Sequence, residues 1–152
     1  MGETVRTRRA SLTDLDAIVP LFDGYRQFYG QPSNVALARA FLEARLSAGE
    51  SVVFLAEDGS GAVGFTQLYP SFSSLGARRN FILNDLFVEP SARRQGVARR
   101  LIEAAAAFGR SAGAVRLTLS TAVDNITAQS VYHAAGWKRD EAFLVYNLVL
   151  EV

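Results

Sequence analysis

An α+β fold, a central mixed and mostly antiparallel twisted sheet flanked by helices, is what this 152-residue sequence predicts. Three observations carry that expectation. Apolar runs of strand type outnumber those of helical period. The runs at 51–56 and 62–69 are joined only by Asp58-Gly59-Ser60-Gly61, turn chemistry that forces an antiparallel hairpin. A strand–helix–strand unit links 80–88 to 115–120, and its right-handed crossover makes those two strands parallel. No linker, repeat or composition break divides residues 1–152, so one domain is expected.

Each element follows from its residues. A short β-tolerant segment at 4–9 ends at Ser11, an N-cap with Asp14 three residues on. Leu12, Leu15, Ile18, Val19 and Phe22 then recur at helical spacing. After Gln31-Pro32-Ser33-Asn34, a second helix places Val35, Ala38, Phe41, Leu42 and Leu46 on one face and ends near Gly49. The run 51–56 is apolar throughout and reads as a buried strand, with 62–69 returning beside it. A polar connection is expected over 70–79, then a strand at 80–88 and a helix from 94 to about 112 with Val97, Leu101, Ala105 and Phe108 inward. Residues 115–120 alternate as a strand, 128–135 form a short helix, and 143–150 close as a final strand.

Bulk chemistry excludes several functions. Net charge is +1, so no global field recruits nucleic acid or anionic membrane. The chain has no cysteine, which rules out disulfides, thiolate metal sites and a covalent thiol mechanism. A single histidine, His133, cannot build a multi-histidine metal centre. The N-terminus lacks an apolar leader core and no run is long enough to span a bilayer, so a soluble, cytoplasmic protein is expected. Gly59-Ser60-Gly61-Ala62-Val63-Gly64 matches the dinucleotide fingerprint by letter, but a strand follows where a helix is required.

The segment 83–102 carries the chemistry. A strand stops at Pro90, which cannot donate to a ladder, and a loop with Gly96 opens into a helix. Free N–H groups from Arg94 to Ala98, flanked by Arg93, Arg94, Arg99 and Arg100, form a receptor for a phosphorylated ligand. Arg93-Arg94-Gln95-Gly96-Val97-Ala98 resembles the acetyl-CoA loop of the GNAT superfamily of N-acyltransferases, Arg-x-x-Gly-x-Ala. Asn125-x-x-Ala128-x-x-x-Tyr132-x-x-x-Gly136-Trp137 is similar to the second motif of that superfamily.

That resemblance implies a GNAT fold, acetyl-CoA as co-substrate, no metal, and direct acetyl transfer to an amine in a ternary complex. It implies that Leu86, Phe87 and Val88 pair with the pantetheine arm, with the Val88 N–H, or that of its neighbour, as oxyanion donor. Arg93, Arg94, Gln95, Gly96, Val97, Ala98 and Arg99 would then receive the diphosphate, Asn125 and Ala128 would border the cofactor, and Tyr132 would protonate the departing thiolate. Asp85, a carboxylate in an apolar strand, is the first candidate base or ammonium receptor, Glu89 the second. Strand alternation groups Asp85 with Leu83 and Phe87, and Asn84, Leu86 and Val88 on the other face.

The aromatic segment 22–29 resembles the first helix of members that acylate small amines. Tyr25, Phe28 and Tyr29, joined by Tyr69 and Phe72, are expected to wall an acceptor pocket for an amino acid, a polyamine or a similar small molecule. Two other classes stay open, a protein lysine or N-terminal acetyltransferase and a non-catalytic acyl-CoA sensor. The apolar residues Phe143, Val145, Tyr146 and Leu148 either extend a sheet or pack across a homodimer interface.

Overall fold

The structure, a computed structural model, describes residues 4–151. Strands β1 (Arg6–Arg9), β2 (Val52–Asp58), β3 (Gly61–Ser73), β4 (Arg78–Val88) and β5 (Leu117–Thr118) form one sheet in that spatial order. All neighbours are antiparallel except β4 and β5, which run parallel through Phe81↔Leu117 and Ile82↔Thr118. Helices α1 (Leu15–Phe28), α2 (Val35–Ser47), α3 (Val97–Ser111) and α4 (Ile126–Ala134), with short 3-10 turns at Leu12–Asp14 and Pro90–Ala92, complete the described elements.

The sheet is covered on both faces, which is why β2 reads apolar without alternation. On one face Ile18, Val19, Leu21 and Phe22 of α1 and Ala38 and Leu42 of α2 pack on Val53, Leu55 and Phe65. The Phe22 ring stacks on Phe41 at 5.5 Å and meets Phe65 edge-on at 6.2 Å. On the other face Val97, Leu101 and Ala105 of α3 pack on Phe54, Leu68, Phe81 and Leu83. Each Val, Leu, Ile or Phe among them, fully buried, contributes about 1.5–3 kcal/mol of transfer free energy.

Polar side chains pin the loops. Before the first helix the Ser11 N–H donates to Asp14 at 2.8 Å, and a short 3-10 turn, Leu12–Asp14, precedes α1. Asp23 is buried within α1, where its carboxylate accepts from the Ser33 hydroxyl (2.7 Å) and the Asn34 N–H (2.8 Å). Those two donors hold the Asp23 carboxyl below its ordinary pKa and fasten the α1–α2 loop to α1.

Several expectations are corrected. The connection expected over 70–79 is mostly ladder, extending to Ser73↔Arg78, because Arg79 lies over the ring of its cross-strand partner Phe72 at 4.8 Å. Pro70 is tolerated there because it lies beyond the end of the β2 ladder at Val52↔Leu68. Helix α3 begins at Val97 rather than 94, since Arg94 (φ 65°) and Gly96 (φ 75°) are both left-handed and cannot propagate a helix. Strand β5 is two residues long, not 115–120. Among the described residues, no strand pairs with residues 143–150.

Candidate active site

The residue that shapes the site is Asn84. In the β3–β4 ladder Gln67 pairs with Asp85 and Leu68 with Leu83, so Asn84 is an extra, bulged residue. The bulge reverses the alternation expected for this strand. Phe81 and Leu83 face α3, but beyond the bulge it is Leu86 and Val88 that do so, while Phe87 turns to the α1 side. Asp85 therefore shares a face with Phe87 and not with Leu83. Two hydroxyls stitch the irregularity: Thr66 donates to the Asp85 carbonyl (2.8 Å) and Tyr25 to the Asn84 carbonyl (3.2 Å).

Where β4 bends at the bulge, β5 no longer follows it, and the two parallel strands part. The Glu89 N–H donates to the Val63 carbonyl at 2.8 Å, so by strand alternation the peptide edges of Val88 and Leu86 point away from β3, into the gap. A cleft of ≈ 500 Å³ opens there, within the usual ligand-pocket range of about 300–1,000 Å³.

One end of the cleft is the α3 N-terminus. The first α3 amide to find a carbonyl is that of Arg100, to Gly96 at 3.1 Å. Among the described residues the amides of 94–99 make no hydrogen bond, and Gly96 has open space around it. Arg94, in a strained left-handed backbone, turns the loop just ahead of α3. Arg93 is differently placed from the phosphate-flanking position expected of it. Its Nε donates to the Val88 carbonyl at 2.9 Å, and its guanidinium lies over Phe28 (5.7 Å) and Phe87 (5.6 Å).

The opposite wall is α4 and the residues before it. Asn125 caps α4, its Oδ1 accepting from the Ala128 N–H at 3.1 Å, which leaves its Nδ2 donor for the cleft. Tyr132 is half-buried, its ring 6.0 Å from Trp137. Burial, and after it Tyr29 across the cleft, raises the pKa of the Tyr132 phenol, so it holds its proton at neutral pH. Tyr25 is shifted upward too, by burial first and then by Asp85.

Of the residues singled out in the sequence, Tyr25, Phe28, Tyr29, Leu86, Phe87, Val88, Arg93, Arg94, Gly96, Val97, Ala98, Arg99, Asn125, Ala128 and Tyr132 line this single cleft. Gln95 is exposed and outside its wall. Asp85 is behind the wall, 1% exposed, its carboxylate accepting from Gln67 Nε2 (2.6 Å) and Asn84 Nδ2 (2.8 Å). Burial pushes its pKa up against the opposing pull of those two donors. Glu89 is also outside the wall, Tyr69 lines a separate hollow with Phe41 and Arg45, and Phe72 is 70% exposed. Sequence reasoning missed Leu83, Asn84, Ala92, Leu119, Ser120, Thr121, Thr127 and Val131 as wall residues. Thr127 and Val131 stand four apart on α4, a helical spacing that could have marked them, whereas the β4 and β5 residues are placed by the bulge and the parting of the strands, which have no one-dimensional signal.

The sequence model of the acetyltransferase (GNAT) family matches residues 18–137, a span that contains the bulge, the α3 loop and α4. An uncharacterized N-acetyltransferase of Bacillus subtilis, YhfO, is 48% identical over 93% of this chain and 95% of its own length. The crystal structure of a probable acetyltransferase superposes with a TM-score of 0.91 at 46% identity, covering 97% of this chain and 99% of the other. An aminoglycoside N-acetyltransferase, AAC(6')-Iy, solved in complex with CoA, has a TM-score of 0.78 at 26% identity, with 97% of each chain covered. With its parted parallel strands, open α3 amides and family match over most of its length, this chain belongs to the GNAT family of acetyltransferases.

Proposed function

We propose that this enzyme transfers an acetyl group from acetyl-CoA to the primary amine of a small molecule, by direct attack with both substrates bound together. The observation that carries the reading is the alignment of two unused donor sets along one cleft: the free edge of Leu86 and Val88, and the unbonded amides of 94–99. An extended amide-bearing arm suits the first and a diphosphate the second. Arg94 and Arg99 add charge beside the diphosphate, and Arg93 acts at one remove, fixing the Val88 carbonyl so that the Val88 N–H faces a developing oxyanion. Holding both reactants in line supplies several kcal/mol of the barrier reduction, of the about 7–11 kcal/mol available to well-oriented pairs.

Tyr132 gives its proton to the departing thiolate, a role for which a phenol kept protonated by burial is suited. Asp85 supports the reaction indirectly. It orients Asn84, and through the bulge it holds the β4 edge open. With no carboxylate in the wall, the amine enters through its neutral fraction, which for an alkylamine of pKa about 10 rises about tenfold with each unit of increasing pH until that value is reached.

The acceptor end of the cleft is aromatic, formed by Tyr25, Phe28 and Tyr29, and the charged groups of the wall are arginines. Such a wall favours amines attached to an aromatic or apolar group, or to a carboxylate as in an amino acid, over polycations. A mass-spectrometric screen of amines with purified enzyme and acetyl-CoA tests this. Acetylated arylalkylamines or amino acids are expected ahead of polyamines. Acetylation of peptide lysines or N-termini alone, or no thioester consumption across the panel, overturns the proposal.

A further inference from the structure

The sheet face that carries Phe65 turns polar as β3 runs on. Gln67 and Tyr69 follow Phe65 on the same side, and Asp85 lies opposite Gln67 on β4. Gln67 and Asp85 are buried there, and Gln67 Oε1 finds no partner although its Nε2 holds Asp85. A buried acceptor without a partner is costly, and a face kept only for packing would be apolar.

Tyr69 lines a hollow of ≈ 450 Å³ with Phe41, Arg45, Gly49, Glu50 and Pro70. The turn that ends α2, with Gly49 at φ 67°, sets a charge pair at its rim. The Glu50 N–H donates to the Arg45 carbonyl at 2.9 Å, and Arg45 Nε donates to Glu50 Oε1 at 3.0 Å. The Arg45 guanidinium lies over the Phe41 ring at 5.1 Å. Among the described residues, both Arg45 Nη groups, Glu50 Oε2 and the Tyr69 hydroxyl make no hydrogen bond. The two charged side chains are 33% and 55% exposed, and a pair so placed adds little stability by itself.

The hollow and the cleft are neighbours on this face. The Tyr69 phenol has its pKa raised by burial and then by Asp85, and drawn down by Arg45, so it stands between a carboxylate and a guanidinium. Asp85 also raises Tyr25, which lines the cleft. Rings mark the same path: Tyr25 is 6.3 Å from Phe22, Phe22 is 5.5 Å from Phe41, and Arg45 follows. That span is several side chains wide, too long for an amine and a carboxylate on one carbon.

We propose that the hollow receives the α-amino-acid head of a diamino acid whose terminal amine is the group acetylated in the cleft. The carboxylate pairs with the two Arg45 Nη groups, the α-ammonium with Glu50 Oε2, and the methylene chain runs past Tyr69. This rests on the acetyl transfer proposed above and names its acceptor. The neutral terminal nitrogen forms the new bond to the acetyl carbon as the C–S bond breaks. Sulfur leaves with the electron pair and takes the Tyr132 proton, and the proton shed by nitrogen returns to Tyr132 through water. A diamine without a carboxylate presents only cations to Arg45 and is disfavoured.

Matched acceptors test the assignment with the full-length enzyme and acetyl-CoA. Ornithine and lysine are compared with their decarboxylated forms, putrescine and cadaverine, and ornithine with δ-aminovalerate, which lacks the α-ammonium. The diamino acids should exceed the diamines in kcat/KM by about 10–100-fold, with fragment masses placing the acetyl group on the terminal nitrogen. Arg45→Met should bring that ratio to near parity by raising KM for the diamino acids, and Glu50→Gln should reduce ornithine relative to δ-aminovalerate. A merely structural role would lower all acceptors together and leave both ratios unmoved. Preference for the diamines, acetylation of the α-nitrogen, or ratios unchanged in Arg45→Met overturns this proposal, while turnover of other small amines would leave the transfer reading standing. No turnover of any amine would bring down both.

Discussion

The two halves of this molecule are built to different standards. From β1 to β4, with α1, α2 and α3, Ile18, Leu42, Leu55, Phe65, Leu68 and Leu101 are completely buried and the sheet is covered twice. From β5 onward, α4 buries no residue and the last segment lies in the open. The cleft runs along the seam between them. Its β4 and α3 walls are fixed by a closed core, and its α4 wall is a capped helix resting on a core that fades out. The difference teaches where precision is stored. The donor-facing edge of β4 is held by packing, by the bulge at Asn84 and by the Tyr25 and Thr66 hydroxyls. Tyr132, the proposed proton donor, stands on α4, which has no buried residue of its own.

Substitutions can sharpen or break this contrast. The largest effect is expected at the loose wall: Tyr132→Phe should lower kcat by about 10²–10⁴-fold, with acetyl-CoA affinity, read by calorimetry, within about twofold. Parallel losses in both quantities would remove the leaving-group role. In the well-packed half, Phe65→Ala should cost about 3–5 kcal/mol by denaturant titration. Ile126→Ala on α4, where the side chain is 64% exposed, should shift stability by less than about 0.5 kcal/mol. Similar costs at the two sites would erase the comparison.

Gly96→Glu should weaken CoA binding by about 10–100-fold, through the left-handed φ of 75° and a carboxylate set beside a diphosphate. The melting temperature should fall by only a few degrees, because the left-handed φ costs a side chain about 1–2 kcal/mol while open space around Gly96 adds no clash. Unchanged affinity would sink the loop assignment.

The smallest effect is a pH slope. Asp85 has a folded pKa raised by burial, so the folded chain binds that proton more tightly than the unfolded one. Stability therefore declines as pH climbs from the unfolded value of about 3.9 toward the raised folded value. Asp14 works oppositely: Arg8 holds it at about 2, and its stabilising contribution is lost as pH falls through that value. Asp85→Asn should flatten the decline above the acid range and leave the Asp14 limb intact. A decline that survives in Asp85→Asn would assign it elsewhere.

Much of this was legible in the residues themselves. The β2–β3 hairpin follows from Asp58-Gly59-Ser60-Gly61, and the parallel β4–β5 pair from a crossover that can be made in one hand only. The α3 loop announces itself because Pro90 removes a donor from the backbone and Gly96 opens the left-handed region to it. Other features were silent. Nothing near Asp23 in the sequence signals its burial, and only the fold brings Ser33 and Asn34 to it. Arg93 resembles a phosphate ligand in the sequence, whereas the fold lays its guanidinium over Phe28 and Phe87.

By itself, then, the sequence determined the periodicities, the stops and the places where backbone amides go unpaired, because those depend on residues close along the chain. The tertiary structure alone decided the bulge at Asn84, the retreat of Asp85 behind the wall and the outward course of 143–150. A bulge is a mismatch between two strands, burial depends on every element packed nearby, and an edge strand's partner is whatever surface lies in reach. None of these is a property of any single segment, so no local pattern encodes it.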